Sequence, residues 1–288
     1  MDIYDVPNLP NVSEPRSLSH SSSHGLASVI LYTALVLAVF SGIYWCIQDY
    51  RFFLSLGRGG PPYNIVGWFK VHIIIRPFTL AQQDETWTGD YPDVGARKEI
   101  MALPLRQGPR PIIRGIAPQR QFDQRPEPAM NLRVLDIFSS FVKANPHLLQ
   151  ERLSHAEKHN LALFVHPSLM SKPDNLPEIA PIFKGEIGHI HGESSLHLYF
   201  SPADAKVIIE KGWAERHRCA RTQPWWFGGI KSMWGIGDSF LIVYAPRNEA
   251  ELEVLKTLIR ASTMWMTGEQ PIVKPLADRE SSEGARMH

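Results

Sequence analysis

Two cysteines in 288 residues leave the chain without a disulfide framework. Cys46 lies inside an apolar run and Cys219 far away in the second half, a pattern that suits a reducing compartment. Charge of one sign is also missing. Thirty Lys and Arg against 29 Asp and Glu give a net +1, so no bulk field argues for nucleic acid, and no such partner is expected. Self-similarity is absent, which removes repeat architectures. The most informative gap is local: from Gly25 to Gln48 there is no Asp, Glu, Lys or Arg.

That gap is filled by LASVILYTALVLAVFSGIYWCI at residues 26–47. About twenty apolar residues rising 1.5 Å each cross a hydrocarbon layer of roughly 30 Å. Tyr44 and Trp45 sit at the far end, where amphipathic rings favour headgroups. A cleaved signal peptide would carry a basic cluster ahead of a shorter apolar core. Here Asp2, Asp5 and Glu14 precede the run, with Arg16 opposing them, so an uncleaved anchor in the lipid bilayer is expected. Arg51, Arg58, Lys70 and Arg76 follow the run, which places the remaining chain in the cytosol by the positive-inside rule, most simply at the endoplasmic reticulum.

The chain then divides into a disordered arm (1–24), a transmembrane helix (25–48), a juxtamembrane interfacial segment (49–80), one α+β domain (81–272) and a flexible tail (273–288). Residues 63–80 are apolar again, but Lys70, His72 and Arg76 interrupt them, which suits a helix lying against the bilayer better than a second span. Residues 81–130 are dense in Pro, Gly and Arg and read as an extended segment with short strands. Apolar residues at Leu132, Leu135, Phe138 and Val142 predict a helix over 131–145, and a second helical stretch is expected over 146–159. Strands are expected at 161–166, from Ile182 onward, and at 240–244. Ser201 as N-cap, Pro202 at the first helical position and Gly212 at the close mark a helix between them. Residues 249–266 form a long amphipathic helix with Asn248 as its cap. The expected fold is therefore an antiparallel sheet packed by helices.

Chemistry-bearing side chains concentrate in Glu186-Ile187-Gly188-His189-Ile190-His191 and Ser195-Leu196-His197-Leu198-Tyr199. In a strand, His189 and His191 share a face, and so do His197 and Tyr199. An odd loop, Gly192-Glu193-Ser194, pairs His189 with His197 and gathers three imidazoles; a two-residue loop puts His197 on the opposite side. The capped helix leads into Trp213, Arg216 and His217, which a short return would bring over the same face. With Glu186, such imidazoles suit Zn or Fe(II), with His189, His191 and His197 as the ligands if any. They equally suit general bases toward an acidic enol, or polar contacts at a sheet edge. The HxHxxxE spacing of a cupin metal site is absent, because Glu193 follows His191 too closely. Trp225, Trp226, Phe227 and Trp234 bracket Gly228-Gly229 in an aromatic loop suited to an aromatic substrate, the bilayer surface or packing beneath the sheet.

Several blocks, in order, resemble the fungal luciferase family: Gln48-Asp49-Tyr50 after the apolar run, Leu103-Pro104-Leu105-Arg106-Gln107-Gly108, Gln119-Arg120-Gln121, Glu186 to His191, Leu196-His197-Leu198, Lys211-Gly212-Trp213-Ala214-Glu215-Arg216-His217, and Tyr244-Ala245-Pro246-Arg247-Asn248-Glu249. The resemblance covers about residues 40–268. It implies an oxygenase-type oxidoreductase with O2 as co-substrate and no organic cofactor, whose luminescent members oxidise 3-hydroxyhispidin through a cyclic peroxide that loses CO2. From the residue pattern, with the enol chemistry that the resemblance implies, His189, His191, His197 and His217 are candidate catalytic residues. Glu186, Tyr199, Trp213, Arg216, Trp225 and Trp226 are candidates for binding a hydrophobic small molecule, with Arg216 suited to holding an enolate. Arg218-Cys219-Ala220-Arg221 and the Trp-rich 224–237 segment depart from the family pattern. A non-luminescent relative acting on a polyketide-like secondary metabolite is therefore the expectation. An oxygen-independent cyclase or decarboxylase, or a binding module without turnover, are the alternatives.

Overall fold

The computed structural model describes residues 20–220 and 236–275, with side chains described from Gly25. Packing divides the chain into two units, Met1–Phe52 and Phe53–His288. One helix runs His20–Ser55. Its Gly25–Ser55 portion is long and apolar enough to cross a membrane, and none of its most apolar stretch is buried by protein. Leu26, Ile30, Leu37 and Phe40 each expose more than half their surface. A bare hydrocarbon helix of this length is a poor solute in water.

The helix breaks after Ser55. Gly57 takes a positive φ of 79°, and Asn64 restarts the helix by accepting from Val66 N at 3.0 Å and Gly67 N at 3.2 Å. The run continues as a π-helix over Phe69–Ile75 and a 3-10 turn over Arg76–Phe78, where Pro77 closes it. Trp68, Val71, His72 and Ile75 turn inward, while Ile65, Val66, Phe69 and Ile74 face out. Residues 81–130 contribute mainly a two-stranded hairpin, β1 (Ile113–Gly115) and β2 (Gln119–Gln121).

The body is a six-stranded antiparallel sheet in the order β3-β4-β5-β6-β8-β7. Its strands are β3 (Leu149–Leu153), β4 (Leu161–Val165), β5 (Glu186–Ile190), β6 (Leu196–Tyr199), β7 (Ala214–Arg216) and β8 (Phe240–Val243). With the helices this makes the α+β domain expected from the sequence. The helix Pro128–Ala144 packs on β3 and β4, and Glu249–Met266 packs on β5 and β6. Both are amphipathic: Val134, Ile137, Phe138 and Phe141 of one and Leu252, Leu255, Leu258 and Ile259 of the other share a single core. Ser201 Oγ accepts from Asp204 N at 3.2 Å and starts Pro202–Glu210; Asn248 does the same for Glu249–Met266 through Glu251 N at 3.0 Å.

Two expectations are corrected. Residues 146–159 are not a second helix: Leu149–Leu153 is an edge strand in register with Leu161–Val165. Glu151 and Arg152 are good helix formers, but pairing along the open edge of β4 outweighs so weak a propensity. Nor does a strand begin at Ile182, which ends the helical turn Ile179–Ile182. Lys184 and Gly185 then both take positive φ, 55° and 79°, so extended backbone starts only at Glu186.

Candidate functional site

The hairpin β5–β6 builds the site. Its connection is Gly192-Glu193-Ser194, closed by His191 N donating to Ser195 O at 2.9 Å and Ser194 N donating to His191 O at 3.0 Å. Three residues is an odd loop, so His189 pairs with His197 across the ladder. Opposed residues in an antiparallel pair share a face, and His191 follows two along. The tight crossing needs a glycine: a Cβ on Gly188 would stand 2.0 Å from His197 O. His217 N donates to Phe240 O at 2.9 Å just beyond β7, which sets its ring on the same face. Ring centroids stand 5.2 Å apart for His189–His197, 4.7 Å for His191–His197 and 4.9 Å for His197–His217. All four are buried.

Glu186 reaches this face by an irregularity. Alternation alone would separate residues 186 and 189. The register shifts between Leu163 and Phe164, so that Gly188 faces Leu163 while Glu186 faces Phe164. Ile187 is thus an extra residue on β5, and a bulge of this kind reverses the parity upstream of it. Glu186 Oε1 then lies 2.8 Å from His189 Nδ1, and Ser154 Oγ donates to the same oxygen at 2.7 Å.

The hydrogen bonds assign the tautomers. His189 Nδ1 faces a carboxylate and is protonated. Ser195 Oγ gives its hydrogen to Glu193 Oε1 at 2.9 Å, so at 2.8 Å it accepts from His191 Nδ1. His197 Nδ1 is 3.3 Å from Leu241 O, which only accepts. Three rings therefore carry the proton on Nδ1 and a bare lone pair on Nε2. His217 is the reverse: its Nδ1 accepts from Cys219 N at 3.0 Å, leaving the hydrogen on Nε2. The Nε2 atoms of His189, His191 and His197 are buried without a hydrogen-bond partner.

Burial disfavours a charge on His191, His197 and His217. Burial, then the neighbouring imidazoles, hold His197 well below the usual histidine range. Burial, then the neighbouring His189, brings His217 down to about 3. Burial and the Arg120 charge lower His191. Glu157 stands beside them, its Oε1 3.9 Å from His189 Nε2 and 3.8 Å from His191 Nε2. Burial pushes its carboxyl up, and the Arg120 guanidinium pulls it back down. Arg120 grips it through two hydrogen bonds of 2.7 Å each.

His189, His197, His217 and Glu157 line a cavity of about 410 Å³, whose other walls include Phe183, Ile236, Phe240 and Lys70. Phe240 stacks on His197 at 4.9 Å and on Tyr199 at 4.4 Å. An apolar chamber with a few convergent polar groups suits a small organic molecule.

The structure does not bring every candidate here. Arg216 pairs with Leu241, so its side chain leaves the opposite face of the sheet from His217. There it holds Asp90 Oδ1 at 2.8 Å and lies 4.7 Å from the Tyr91 ring centre. Trp213 is in the core and donates from Nε1 to Pro104 O at 2.8 Å. Tyr199 adjoins the site through Phe240 and accepts from Gly237 N at 3.4 Å. Trp225 and Trp226 lie outside the described residues. Glu157, Arg120, Ser154 and Ser195 were not anticipated. The first three come from the β2 strand and the β3–β4 turn, and only the misread strand at 149–153 could have pointed to them.

Residues 184–262, which carry this hairpin and the helix behind it, match the Luciferase domain family. The chain is similar to a luciferase of Armillaria gallica, 32% identical over 255 residues, covering 86% of this chain and 90% of that protein. It is also similar to a luciferase of Armillaria mellea, 32% identical with 80% and 84% covered. A luciferase of Neonothopanus nambi is 30% identical, with 88% and 91% covered. No solved structure matches the chain.

Proposed function

From the chain's membership of the fungal luciferase family, we propose that it is a membrane-anchored oxygenase that adds O2 to an enolic, apolar secondary metabolite of the pyrone or polyketide type, without an organic cofactor. The observation that carries this reading is the chamber lined by His189, His197 and His217, where two imidazoles with bare lone pairs and one with an N–H stand beside stacked aromatic rings, with His191 packed against His197 behind them. An enol presented to that cluster loses its proton to it. The enolate oxygen takes the hydrogen bond that His217 Nε2 offers, and the electron density shifts to the adjacent carbon. That carbon supplies the electron pair for the new bond to O2, and the peroxide so formed closes on a neighbouring carbonyl and releases CO2. Phe183 and Phe240 hold a conjugated ring and keep water from the carbanion-like centre. Lys70, at the wall formed by the juxtamembrane helical run, suits the charge that develops.

The Gly25–Ser55 helix keeps the enzyme where apolar substrates concentrate, with the domain on the cytosolic side of the endoplasmic reticulum. The test is O2 uptake by the full-length protein in detergent with 3-hydroxy-2-pyrones of graded apolar size, product mass being followed alongside. Uptake lost in His197→Ala is expected. Turnover of a pyrone by mass change in strict absence of O2 would favour a cyclase or decarboxylase instead.

A further inference from the structure

Three buried lone pairs without a partner need an explanation. An unpartnered buried acceptor is costly, and here three of them share one small space. One ring nitrogen from each of His189, His191 and His197 lies within 4.8 Å of the other two. The rings are 1–3% exposed, so bulk water does not solvate them. Among the described residues, no neighbouring donor is available to all three. Arg120 is committed to Glu157, and His217 Nε2 carries a single hydrogen. Glu157 adds a carboxylate to the same side, so the space is lined by acceptors.

We propose that His189, His191 and His197 bind one divalent first-row transition-metal ion through their Nε2 atoms, with open coordination positions toward the cavity. Each ring is already prepared as a ligand from its far side. Nδ1–H is held by Glu186 Oε1, Ser195 Oγ and Leu241 O respectively, the outer contacts that fix a metal-binding imidazole and raise its basicity. Such ligands bind at about 2.0–2.1 Å, which places tetrahedral nitrogens roughly 3.3 Å apart. Small χ rotations close the present spread. Glu157 Oε1, under 4 Å from two of the three Nε2 atoms, faces the ion while its charge is shared with Arg120. Three neutral imidazoles select for Fe, Co, Ni or Zn rather than Mg or Ca. His217 stands outside the set, because its Nε2 is the protonated nitrogen, and it keeps its role as a donor to substrate. The site itself stands on geometry. With the ion bound, the three lone pairs no longer act as the base, and the substrate enters as its enolate with the oxygen at the open position; this catalytic use rests on the oxygenase reading.

Full-length protein in detergent, stripped with chelator and titrated with Co²⁺ alone, tests the site. The expected result is one Co²⁺ per chain with visible d–d absorption, displaced by Zn²⁺, and a higher Tm in the loaded protein. Glu186→Gln should weaken binding about 10- to 100-fold while keeping the fold, as loss of an outer-shell partner does. The unaltered protein gives an independent reading, since three ligating rings must yield three strongly shifted exchangeable imidazole N–H signals in the Co²⁺ form. Folded protein that takes up no Co²⁺, or uptake unaltered in both Glu186→Gln and His197→Ala, overturns the proposal. Metal-free protein that consumes O2 at the loaded rate removes the catalytic use and leaves the oxygenase reading. One tightly bound ion with no O2 consumption on any enolic substrate supports the site and defeats that reading.

Discussion

The two faces of the six-stranded sheet are made from alternate residues of the same strands, yet they follow different rules. The row Leu163, Gly188, Leu198, Leu241 and Arg216 meets the helices, and the row Ala162, His189, His197, Ile242 and Glu215 lies behind it. On the helix side, hydrocarbon predominates, and the single cation in the row, Arg216, is paired with Asp90 and laid on Tyr91. Behind, four imidazoles and the carboxylates of Glu157, Glu186 and Glu215 are buried. The helix face repays its burial through transfer of apolar area from water. The other face gains little that way, and its groups persist because almost every one is hydrogen-bonded by design of the backbone. Among the described residues, the Nε2 atoms of His189, His191 and His197 are exceptions. Stability resides on one side and the capacity for chemistry on the other.

The sharpest way to break this contrast is to remove a ring behind the sheet. His189→Ala or His191→Ala should cut turnover on the order of 10²- to 10⁴-fold with the near-UV CD spectrum retained. Loss of the fold in both variants would mean that the rings are structural. The converse substitution is on the helix side: Phe138→Ala should cost about 3–5 kcal/mol in chemical denaturation while KM and kcat in the folded fraction stay unchanged. A specific loss of activity there would erase the division between faces.

A subtler test lies within the polar face. Glu85 and Glu215 are buried together, with Tyr244 Oη donating to Glu215 Oε2 at 2.9 Å. Burial, then the hydrogen bond and charge of Glu215, push the Glu85 carboxyl up to about 10. The folded protein holds that proton where the unfolded chain has released it above about 4.5. This contribution to stability is complete below that pH and is lost as pH rises toward 10. Glu85→Gln keeps the neutral shape and removes the titration. Its Tm should therefore decline less between pH 5 and pH 9 than that of the unaltered protein. Parallel curves would show that the pair is not protonated in the fold. The smallest effect is expected at an edge of neither face: Ser201→Ala, which removes the cap of Pro202–Glu210, should cost about 1 kcal/mol with no change in metal binding or turnover.

Much of this arrangement is legible in the sequence alone. Ser201, Pro202 and Gly212 bounded a helix because caps act within one turn, and the spacing of 249–266 marked the helix that lies on β5 and β6. The three-histidine face followed from parity once Gly192-Glu193-Ser194 was taken as the loop. Parity also explains where reading along the chain stopped. Arg216 and His217 are neighbours on an extended segment, so one must turn away, and the short return after Gly212 gave no hint that Ala214–Arg216 would be a strand. Leu149–Leu153 looked helical because its residues have no strong β preference; what makes it a strand is an edge supplied from elsewhere in the fold. Glu157 and Arg120 are brought to the imidazoles by pairings 30 or more positions apart, which no local pattern encodes.

Ile187 has a consequence that reaches beyond this chain. Because it shifts the count by one, residues before it and residues after it are read in opposite phase, and the carboxylate at 186 faces His189 only while that count is kept. Deleting one residue here would turn Glu186 toward the helices and leave His189 Nδ1 without its acceptor, although no functional side chain had been exchanged. What this stretch must inherit is therefore a length. Related sequences should tolerate substitution across 184–190 far more readily than a gap, and a gap there should mark a protein that has given up this chemistry or found the proton's acceptor on another strand.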